Sequence, residues 1–447
     1  MEKERAGFVK EAEEMYAEVM KWRAENEQAS IDEIVEKVSV ARRKIMGGVV
    51  EKVALAHGNG AEALGVKCQG CGEEMENKGE NQRSVLHEEG ESKLKRAYYY
   101  CSKCKTGVFP LDEALAVGDH SWSPGTIRWA LRLGIEIASY ERAAMTFSEL
   151  MHLSLSKSSL QRMVKQYGGE LVKQQAAEAE AMVKAPSKAE VEVVYRQRVQ
   201  PDSETMSISH DGNLIHIRGE GWKEVKIVAV SAVTTTTDEQ SGEQAVQLSQ
   251  HSYRAGLWDA ATFANQQWVE AEKRGVFFAK RLACVADGAA WIWQIVFMCF
   301  APCFQILDWW HATQYLWMIA NAAFSNPKEA ATWVEQQKSL LLTSHLAQFF
   351  ANVRILFPHS SPLPEPVRTA VLYLFHHRRR LDYASFRRLG LPIASGSVES
   401  AGKVVVQARL KQAGMRWSRP GAQAMLALRA ALLSDRWPAT YHSLSLA

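Results

Sequence analysis

The order of strand-like and helix-like segments between residues 205 and 307 constrains the fold most. Three strand-like runs separated by short turns predict an antiparallel meander, and two further apolar runs follow, each after a predicted helix. The first predicted strand is Thr205–His210, continued by Leu214–Ile217 after a turn at Asp211-Gly212-Asn213, and the second and third are Glu224–Thr235 and Ala245–Tyr253. A helix over Trp258–Arg274 leads to the fourth strand, Ala283–Ala286, and the fifth is Phe304–Leu307. A shorter alternating stretch, Val191–Val193, precedes them all. We expect one mixed sheet in which the first and fourth strands lie side by side.

Aspartates stand where the first and fourth of these strands are predicted to end. Asp211 precedes Gly212, and Asp287 follows the buried run that closes at Ala286. If the two strands are neighbours, the two carboxylates meet at the edge of the sheet, and carboxylate oxygens are the ligands that hard divalent cations prefer. An aspartate before a glycine is also typical of an ordinary turn. The local sequence leaves both interpretations of Asp211 open.

Two later acidic residues extend this set. Asp308 follows the fifth strand, and the segment Asp308-Trp-Trp-His311 allows a metal ligand, a residue that supports the site, or an N-cap for a helix that begins at Trp309. Glu399 falls in the first turn of a predicted long helix, where the helix dipole favours any acidic residue. Three such carboxylates can hold two divalent ions for in-line displacement at a phosphodiester. A glycine-rich phosphate loop of the Walker type is missing, so nucleotide hydrolysis is not indicated.

Four of the seven cysteines form two C-x-x-C pairs. Cys68 and Cys71 form the first pair and Cys101 and Cys104 the second, with a strand predicted over Ala97–Tyr100. Four thiolates in two knuckles suit tetrahedral Zn²⁺, and the layout predicts a zinc ribbon with a long polar insert. The alternative is four free thiols in chance pairs. Cysteine usage of this kind favours metal binding in a reducing compartment over a disulfide framework.

Helical patterns surround the cysteine pairs. Residues 1–60 predict two or three helices interrupted at Gly47-Gly48 and at Gly58-Asn-Gly60, with ordinary packing or self-association as their role. Beyond Trp122 we expect a helix over Ile127–Tyr140, a short helix opened by a capping box at Thr146–Glu149, another that begins at Ser156–Ser159, and a helical connector over 170–184 that Pro186 ends. The two short helices are typical of a helix-turn-helix, or of any packed helical pair. The predicted DNA-binding residues are Lys157, Ser158, Gln161 and Arg162.

Charge is distributed unevenly along the chain. Residues 1–100 carry 20 acidic and 16 basic residues, whereas residues 351–447 carry 4 acidic and 14 basic ones. A basic C-terminal part indicates a polyanionic partner, although a solvated surface explains it as well. The residues expected to face DNA there are Arg378, Arg379, Arg380, Arg387, Arg388, Lys403, Arg409, Lys411 and Arg416. The charged start predicts no signal peptide, and the apolar stretch Trp291–Leu307 predicts a buried helix and strand instead of a membrane span.

These motifs resemble those of the DDE transposases of bacterial insertion sequences, in particular the Kra-type family, which is related to Mutator-like elements. The resemblance covers about residues 65–447 and is carried by Ile208-Ser-His-Asp211-Gly, Ala286-Asp287-Gly-Ala-Ala-Trp-Ile-Trp293, Ile306-Leu-Asp308-Trp-Trp-His311-Ala, Ser395-Gly-Ser-Val-Glu399-Ser and Arg409-Leu-Lys-Gln-Ala-Gly-Met-Arg-Trp417. It implies that Asp211, Asp287 and Glu399 are the catalytic triad and bind Mg²⁺ or Mn²⁺. Asp308 and His311 correspond to a D-x-x-H motif of Mutator-like and related enzymes.

The resemblance also implies a function. Such a protein binds the terminal inverted repeats of its element, cleaves DNA and transfers the strands. It is expected to act as a homodimer or larger assembly on DNA, in the cytoplasm at the bacterial nucleoid, with no membrane partner. A domesticated DNA-binding protein that does not cut, and an RNase H-like nuclease that only hydrolyses, are the alternatives. The expected fold is α/β: an RNase H-like mixed five-stranded sheet with an all-α insertion. The expected regions are a helical region (1–60), a zinc ribbon (61–112), a helix-turn-helix with connector (120–190), the first part of the catalytic core (191–311), the α-helical insertion (312–390) and the C-terminal helices of the core (391–447).

Overall fold

The computed structural model describes residues 2–118, 121–183, 199–237, 244–358 and 362–445. The chain forms two compact units, one within residues 1–163 and the other within residues 164–444. The predicted strand Val191–Val193 and the predicted stop at Pro186 lie outside the described residues.

The first unit combines helices with a small antiparallel sheet. Its elements are α1 (Glu2–Glu25), α2 (Ile31–Ala54), β1 (Glu76–His87), β2 (Gly90–Cys101), β3 (Thr106–Val108), α3 (Pro110–Ala114), α4 (Pro124–Glu136) and α5 (Tyr140–Met151), followed by the start of α6 (Lys157–Val183). The three strands form a sheet in the order β1-β2-β3.

Helix α2 runs through Gly47 and Gly48, so the predicted break at these glycines is wrong. A Cβ atom at Gly47 would lie 2.4 Å from the backbone oxygen of Glu91, and the Ser92 hydroxyl donates to the Gly47 carbonyl at 2.7 Å. Glycine lowers helix propensity, but here it lets the β1–β2 hairpin approach the helix backbone, and this packing outweighs the lost propensity.

The polar insert between the cysteine pairs is a long hairpin. β1 pairs with β2 from Glu76 and Tyr100 to His87 and Gly90. The buried positions of β2 alternate along the strand, but several of them are polar or glycine, including Ser92 and Arg96. The apolar alternation that normally indicates a strand is therefore hidden in the sequence.

Helix boundaries after residue 122 differ in part from the predicted ones. Ser123 caps α4, which ends at Glu136 instead of the predicted Tyr140, and Ser139 caps α5 by accepting from the Arg142 amide at 3.2 Å. The predicted capping box at Thr146–Glu149 consequently lies inside α5. The Ser156 hydroxyl accepts from the Ser159 amide at the start of α6, as predicted, and α6 then continues unbroken to Val183.

The second unit is built on a five-stranded sheet with many helices. Its further elements are β4 (Thr205–Ile217), β5 (Gly221–Thr237), β6 (Gln244–Gly256), α7 (Ala260–Lys273), a 3₁₀ turn (Val276–Phe278), β7 (Arg281–Ala286), α8 (Ala290–Phe300), β8 (Phe304–Leu307), α9 (Trp309–Ala323), α10 (Pro327–Leu342), α11 (Leu346–Leu356), α12 (Glu365–His376), a 3₁₀ turn (Arg378–Arg380), α13 (Tyr383–Arg388), α14 (Gly396–Ala401), a π-helical segment (Gly402–Gln407), α15 (Ala408–Leu410), α16 (Arg419–Leu433) and α17 (Trp437–Ser445).

The sheet is mixed, with strand order β6-β5-β4-β7-β8. β6, β5 and β4 pair antiparallel, and β7 joins β4 in parallel, with β8 parallel to β7. The first and fourth strands of the predicted order are therefore neighbours, as expected. The apolar stretch Trp291–Leu307 is divided between α8 and β8, and within the described residues no helix is long and apolar enough to cross a membrane.

Strand β4 does not turn at Asp211. It pairs with β5 along its whole length, with Asp211 opposite Ile227 and Asn213 opposite Val225, and the chain reverses only at Arg218–Glu220. The polar residues 211–213 resemble a turn in the sequence, but their antiparallel pairing with β5 keeps them in the sheet. The helix α16 over Arg419–Leu433 is followed by α17.

Candidate functional site

Asp211 lies within β4, and Asp287 directly follows β7, the parallel neighbour of β4. The last residues paired between β4 and β7 are His210 and Ala286, and in both segments the next residue is an aspartate. Neighbouring strands are about 4.8 Å apart, and both aspartates are half-buried. Burial raises the pKa of Asp211, and the negative charge of Asp287 raises it further. Two carboxylates are thus close together in a partly buried site, where a bound cation would stabilise their ionised forms.

Hydrogen bonds hold the Asp211 carboxylate in place. Its Oδ1 accepts from the Gly212 amide at 2.7 Å, and its Oδ2 accepts from Asn213 Nδ2 at 3.0 Å. Asn213 in turn accepts from Gln407 Nε2 at 2.9 Å. Asn213 and Gln407 were not predicted. The spacing of two residues between Asp211 and Asn213, which puts both side chains on one face of a strand, was the available signal for Asn213.

Glu399 lies on a helix whose face contacts Asp211. It is half-buried in α14, and Gly402, three residues later, lies on the same side of the helix. A Cβ atom at Gly402 would lie 3.3 Å from Asp211 Oδ2 and 2.7 Å from Asn213 Nδ2. The three carboxylates are nevertheless not tightly clustered. Among the described residues, the four cysteines alone form a group of three or more metal-ligating side chains whose ligand atoms all lie within 4.8 Å of one another.

Asp308 is a buried N-cap. Its Oδ2 accepts from the His311 amide at 2.8 Å and lies 3.3 Å from His311 Nδ1, and its Oδ1 accepts from the Ser395 amide at 2.6 Å. Burial alone would raise the pKa of Asp308, but the bonds from His311 and Ser395 lower it below its ordinary value. Asp308 therefore joins the end of β8 to the loop before α14, the helix of Glu399.

His311 lies beside the acidic pair. The hydrogen bond to Asp308 raises the pKa of His311, and the charges of Asp308, Asp287 and Asp211 raise it further. Its side chain is 38% exposed. A protonated imidazole at this place adds positive charge next to the carboxylates.

The helix of Glu399 continues into a π-helical segment that Arg429 holds. The buried Arg429 guanidinium donates to the Val405 carbonyl through Nε at 2.9 Å and to the Val404 carbonyl through Nη2. π-helical turns leave carbonyl groups without their usual helical partners and are frequent at functional sites. Arg429 satisfies two such groups and thereby stabilises the segment that carries Gly402 and Gln407.

The predicted DNA-binding residues are partly on the surface and partly buried. Arg409 is 1% exposed and stacks over Trp417, so its predicted contact with DNA is wrong in this fold. Arg380 is half-buried, bonds to Gln305 and stacks over Trp293, which gives it a packing role. The remaining residues of the prediction are exposed: Lys157, Ser158, Gln161 and Arg162 in the first unit, and Arg378, Arg379, Arg387, Arg388, Lys403, Lys411 and Arg416 in the second.

The four cysteines of the two pairs form a tight cluster in the first unit. All four sulfur atoms lie within 4.8 Å of one another, and Cys71 Sγ is 3.6 Å from Cys101 Sγ. Tetrahedral Zn²⁺ with Zn–S bonds of about 2.3 Å requires sulfur atoms about 3.8 Å apart. The cluster can therefore hold a metal such as zinc. The prediction that the four cysteines come together is confirmed.

Local hydrogen bonds prepare this cluster for a cation. The amides of Gly70 and Cys71 lower the pKa of Cys68 to about 6. Hydrogen bonding with Cys71 and Cys68 raises the pKa of Cys104 to about 12, because the protonated Cys104 thiol donates to them, and burial and repulsion between neighbouring thiolates raise it further. A bound cation removes this repulsion, since all four sulfurs then act as ligands.

The fold and sites define a two-unit α/β protein with a cluster of four cysteines that can hold a metal and an acidic pair at its five-stranded sheet. Residues 73–332 match the family model of UPF0236, an uncharacterised protein family, over more than half of the chain. The chain belongs to that family, whose matched region contains Asp211, Asp287 and Asp308 but not Glu399.

Comparison with other proteins adds little. No curated protein matches the chain. Among solved structures, a Drosophila P element transposase strand transfer complex is similar, with 9% sequence identity over 72% of this chain and 80% of that chain. The TM-score of 0.24 is too low to support an argument about fold or function.

Proposed function

We propose that the protein is a DDE transposase, which cleaves DNA at the ends of an insertion sequence and transfers the strands with a divalent metal. The observation that supports this most is the parallel pairing of β4 with β7, because Asp211 and Asp287 directly follow the last paired residues of these two neighbouring strands. The face of the Glu399 helix at Gly402 lies against Asp211. In this proposal the sheet is that of an RNase H-like catalytic domain and the three residues are the triad.

Each residue has a distinct role in this proposal. Asp211, Asp287 and Glu399 hold Mg²⁺ or Mn²⁺, which when bound activates a water or 3′-hydroxyl and stabilises the leaving oxygen of the phosphodiester. Asn213 orients the Asp211 carboxylate through its bond to Oδ2. Asp308 fixes the loop before the Glu399 helix. His311 contributes positive charge near the phosphate.

DNA contact is assigned to exposed basic residues. In the second unit these are Arg378, Arg379, Arg387, Arg388, Lys403, Lys411 and Arg416, which neutralise backbone phosphates. In the first unit, α6 begins with the exposed Lys157 and Ser158 and serves as the second helix of a helix-turn-helix that binds the terminal repeats. The cysteine cluster, as a zinc ribbon, stabilises that unit.

The test is a cleavage and strand-transfer assay on DNA that carries the element's own ends, with Mg²⁺ or Mn²⁺. We expect Asp287→Ala and Glu399→Gln to lower both products by about 10²- to 10³-fold, while the exposed control Glu365→Gln keeps wild-type activity. Variants that cut as well as wild type would refute the triad. Binding of the ends without cutting would favour a domesticated DNA-binding protein, and hydrolysis without joining would favour a nuclease.

A further inference from the structure

Helices that follow β8 in the chain pack on the loop that carries Asp287. Asp287 directly follows β7, and its Oδ1 accepts from the Ala289 amide at 2.9 Å, one residue before α8 begins. We call residues 287–289 the Asp287 loop. The helices α9 and α12 contact each other and bring aromatic side chains to this loop. The loop is therefore covered by residues that lie far from it along the chain.

Gly288 lets a tyrosine of α12 lie directly on the Asp287 loop. A Cβ atom at Gly288 would lie within 2.5 Å of the Oη, Cζ and Cε2 atoms of Tyr373. The end of the phenol ring thus occupies the place where any other residue has its side chain. The φ angle of Gly288 is outside the left-handed region that favours glycine. The contact with Tyr373, and not the backbone conformation, therefore explains why this residue is a glycine.

Neighbouring aromatic side chains hold the ring of Tyr373. It stacks on Tyr315 of α9, with ring centroids 3.8 Å apart and ring planes 18° apart. His377 follows Tyr373 by one helical turn, and their ring centroids are 4.7 Å apart. Tyr315 and Tyr373 are half-buried, and His377 is buried. Side chains packed in this way are held in one rotamer, so the ring forms a firm support for Gly288.

His377 faces Gly288 from a second direction. Arg380 Nη1 lies 2.9 Å from His377 Nδ1 and donates to it, because a guanidinium can only donate. Nδ1 is then the acceptor of a neutral ring, and Nε2 carries the proton. The carbonyl of Gly288 faces the His377 ring, and its amide faces the Tyr373 oxygen. Both backbone polar groups of Gly288 are thus turned toward the last turn of α12.

We infer that Tyr373 and His377 are positioning residues, which fix Gly288 and thereby hold the neighbouring Asp287 carboxylate where a divalent cation needs it. Residues that orient a metal ligand contribute to metal affinity without touching the metal. The inserted helices then complete the acidic site itself, in addition to the DNA contacts assigned to Arg378 and Arg379. This inference rests on the proposed function, because that proposal makes Asp287 a metal ligand.

The test is a double-mutant cycle on the full-length, zinc-loaded protein, with Mn²⁺ affinity measured by calorimetry. Tyr373→Leu keeps the apolar base of the side chain and removes the atoms that lie on Gly288, whereas Gly288→Ala places a methyl group against the ring. Either change should weaken Mn²⁺ binding about tenfold, the lower end for residues that support metal ligands. The double variant should lose little more than either single variant, because residues in contact do not act independently.

Urea denaturation of the same variants separates a positioning role from a purely structural one. Tyr373→Phe, which keeps a ring over Gly288, should recover most of the affinity lost in Tyr373→Leu. Gly169→Ala is the control, since a Cβ atom there meets no atom within 4 Å, and it should bind Mn²⁺ as wild type does. If Tyr373→Leu does not fold, Gly288→Ala tests the same contact from the side of the loop. A lower free energy of unfolding with unchanged Mn²⁺ affinity would overturn the inference.

The outcomes distinguish this inference from the proposed function. If wild type binds Mn²⁺, Asp287→Asn weakens the binding, and Tyr373→Leu and Gly288→Ala bind as wild type does, the inference fails and the metal site stands. Additive losses in the double variant would also contradict the inference, because they would mean that the two residues act separately. A wild type that binds no Mn²⁺ would overturn both the metal site and the inference.

Discussion

The cysteine cluster and the acidic site differ in how far the protein alone brings the ligands together. Four sulfur atoms lie within 4.8 Å of one another in the first unit. In the second unit Asp211 and Asp287 follow paired strand residues, but Glu399 stands on a separate helix, and the three carboxylates do not form a cluster of that size. Both sites bring negatively charged ligands together. The ligand atoms of the cysteine cluster are in close contact, whereas those of the acidic site are further apart.

Under the proposed function, this difference corresponds to the one between a structural metal site and a catalytic one. A structural site fills every coordination position with protein ligands, whereas a catalytic site leaves positions for water and substrate. The four sulfurs satisfy the first description. In the proposal the acidic site has the second role. The Asp211 carboxylate accepts from Gly212 and Asn213, and the Asp287 carboxylate accepts from the Ala289 amide, while Glu399 is on a separate helix.

The largest effect is expected from Cys101→Ser. Removing one thiolate from a closed cluster should abolish stoichiometric zinc and unfold the sheet around it, since binding of structural zinc contributes about 10 kcal/mol or more to folding. Metal analysis by mass spectrometry and protection of residues 66–108 from hydrogen exchange would measure this. Cys299→Ser, outside the cluster, should keep the zinc. If Cys101→Ser kept its zinc, the cysteine cluster would not need all four ligands, and the contrast with the acidic site would fail.

A smaller effect is expected from Asp308→Ala. The change deletes an N-cap and leaves the buried Ser395 amide without its acceptor, so the free energy of unfolding should fall by about 3 kcal/mol. Denaturation by urea would measure it. The exposed cap Asp259, which accepts from the Thr262 amide at 2.7 Å, is the control, with about 1 kcal/mol for Asp259→Ala. Equal losses would mean that Asp308 is an ordinary cap.

Gly402→Ala tests the contact between the Glu399 helix and Asp211. The new methyl group would lie 2.7 Å from Asn213 Nδ2, and we expect a cost of about 2 kcal/mol from overpacking together with a clear loss of DNA cleavage. Zinc content should not change. Gly396→Ala is the matched control on the same helix, since a Cβ there meets no atom within 4 Å. Full activity of Gly402→Ala would show that the open site tolerates displacement of this helix.

The smallest effect is expected from Thr106→Val. The Thr106 hydroxyl lies 3.7 Å from Cys68 Sγ and helps to lower the pKa of that thiol. Without it, zinc affinity should fall about tenfold, which is the lower end for residues that support metal ligands. Competition with a chelator would measure the change, with the exposed Ser102→Ala as control. An unaltered affinity would mean that the cluster needs no support from its surroundings.

The sequence predicted the pairing of strands better than it predicted their ends. The adjacency of β4 and β7 followed from the order of the segments, and the four cysteines followed from their spacing. The continuation of β4 through Asp211 was missed because β5, not the local sequence, holds those polar residues in the sheet. The helix through Gly47 was missed because the close approach of Glu91 is a tertiary contact.

Within the acidic site, local pattern and tertiary packing contributed differently. The cap role of Asp308 was among the alternatives that the sequence left open. The burial of Arg409 was not foreseen, because an arginine on an amphipathic helix is usually exposed, whereas here its guanidinium stacks on Trp417. Gln407, 194 residues from Asn213 along the chain, reaches the site only through the fold.

The central claim is that Asp211, Asp287 and Glu399 form one site for a divalent cation. Titration calorimetry with Mn²⁺ on the zinc-loaded protein tests it most directly, with the exposed Asp435→Asn as control. We predict that Asp287→Asn and Glu399→Gln each weaken Mn²⁺ binding at least about tenfold, because hard cations depend on the number of charged oxygen ligands, while Asp435→Asn binds as wild type does. Equal Mn²⁺ affinity in wild type and in both site variants would contradict the claim.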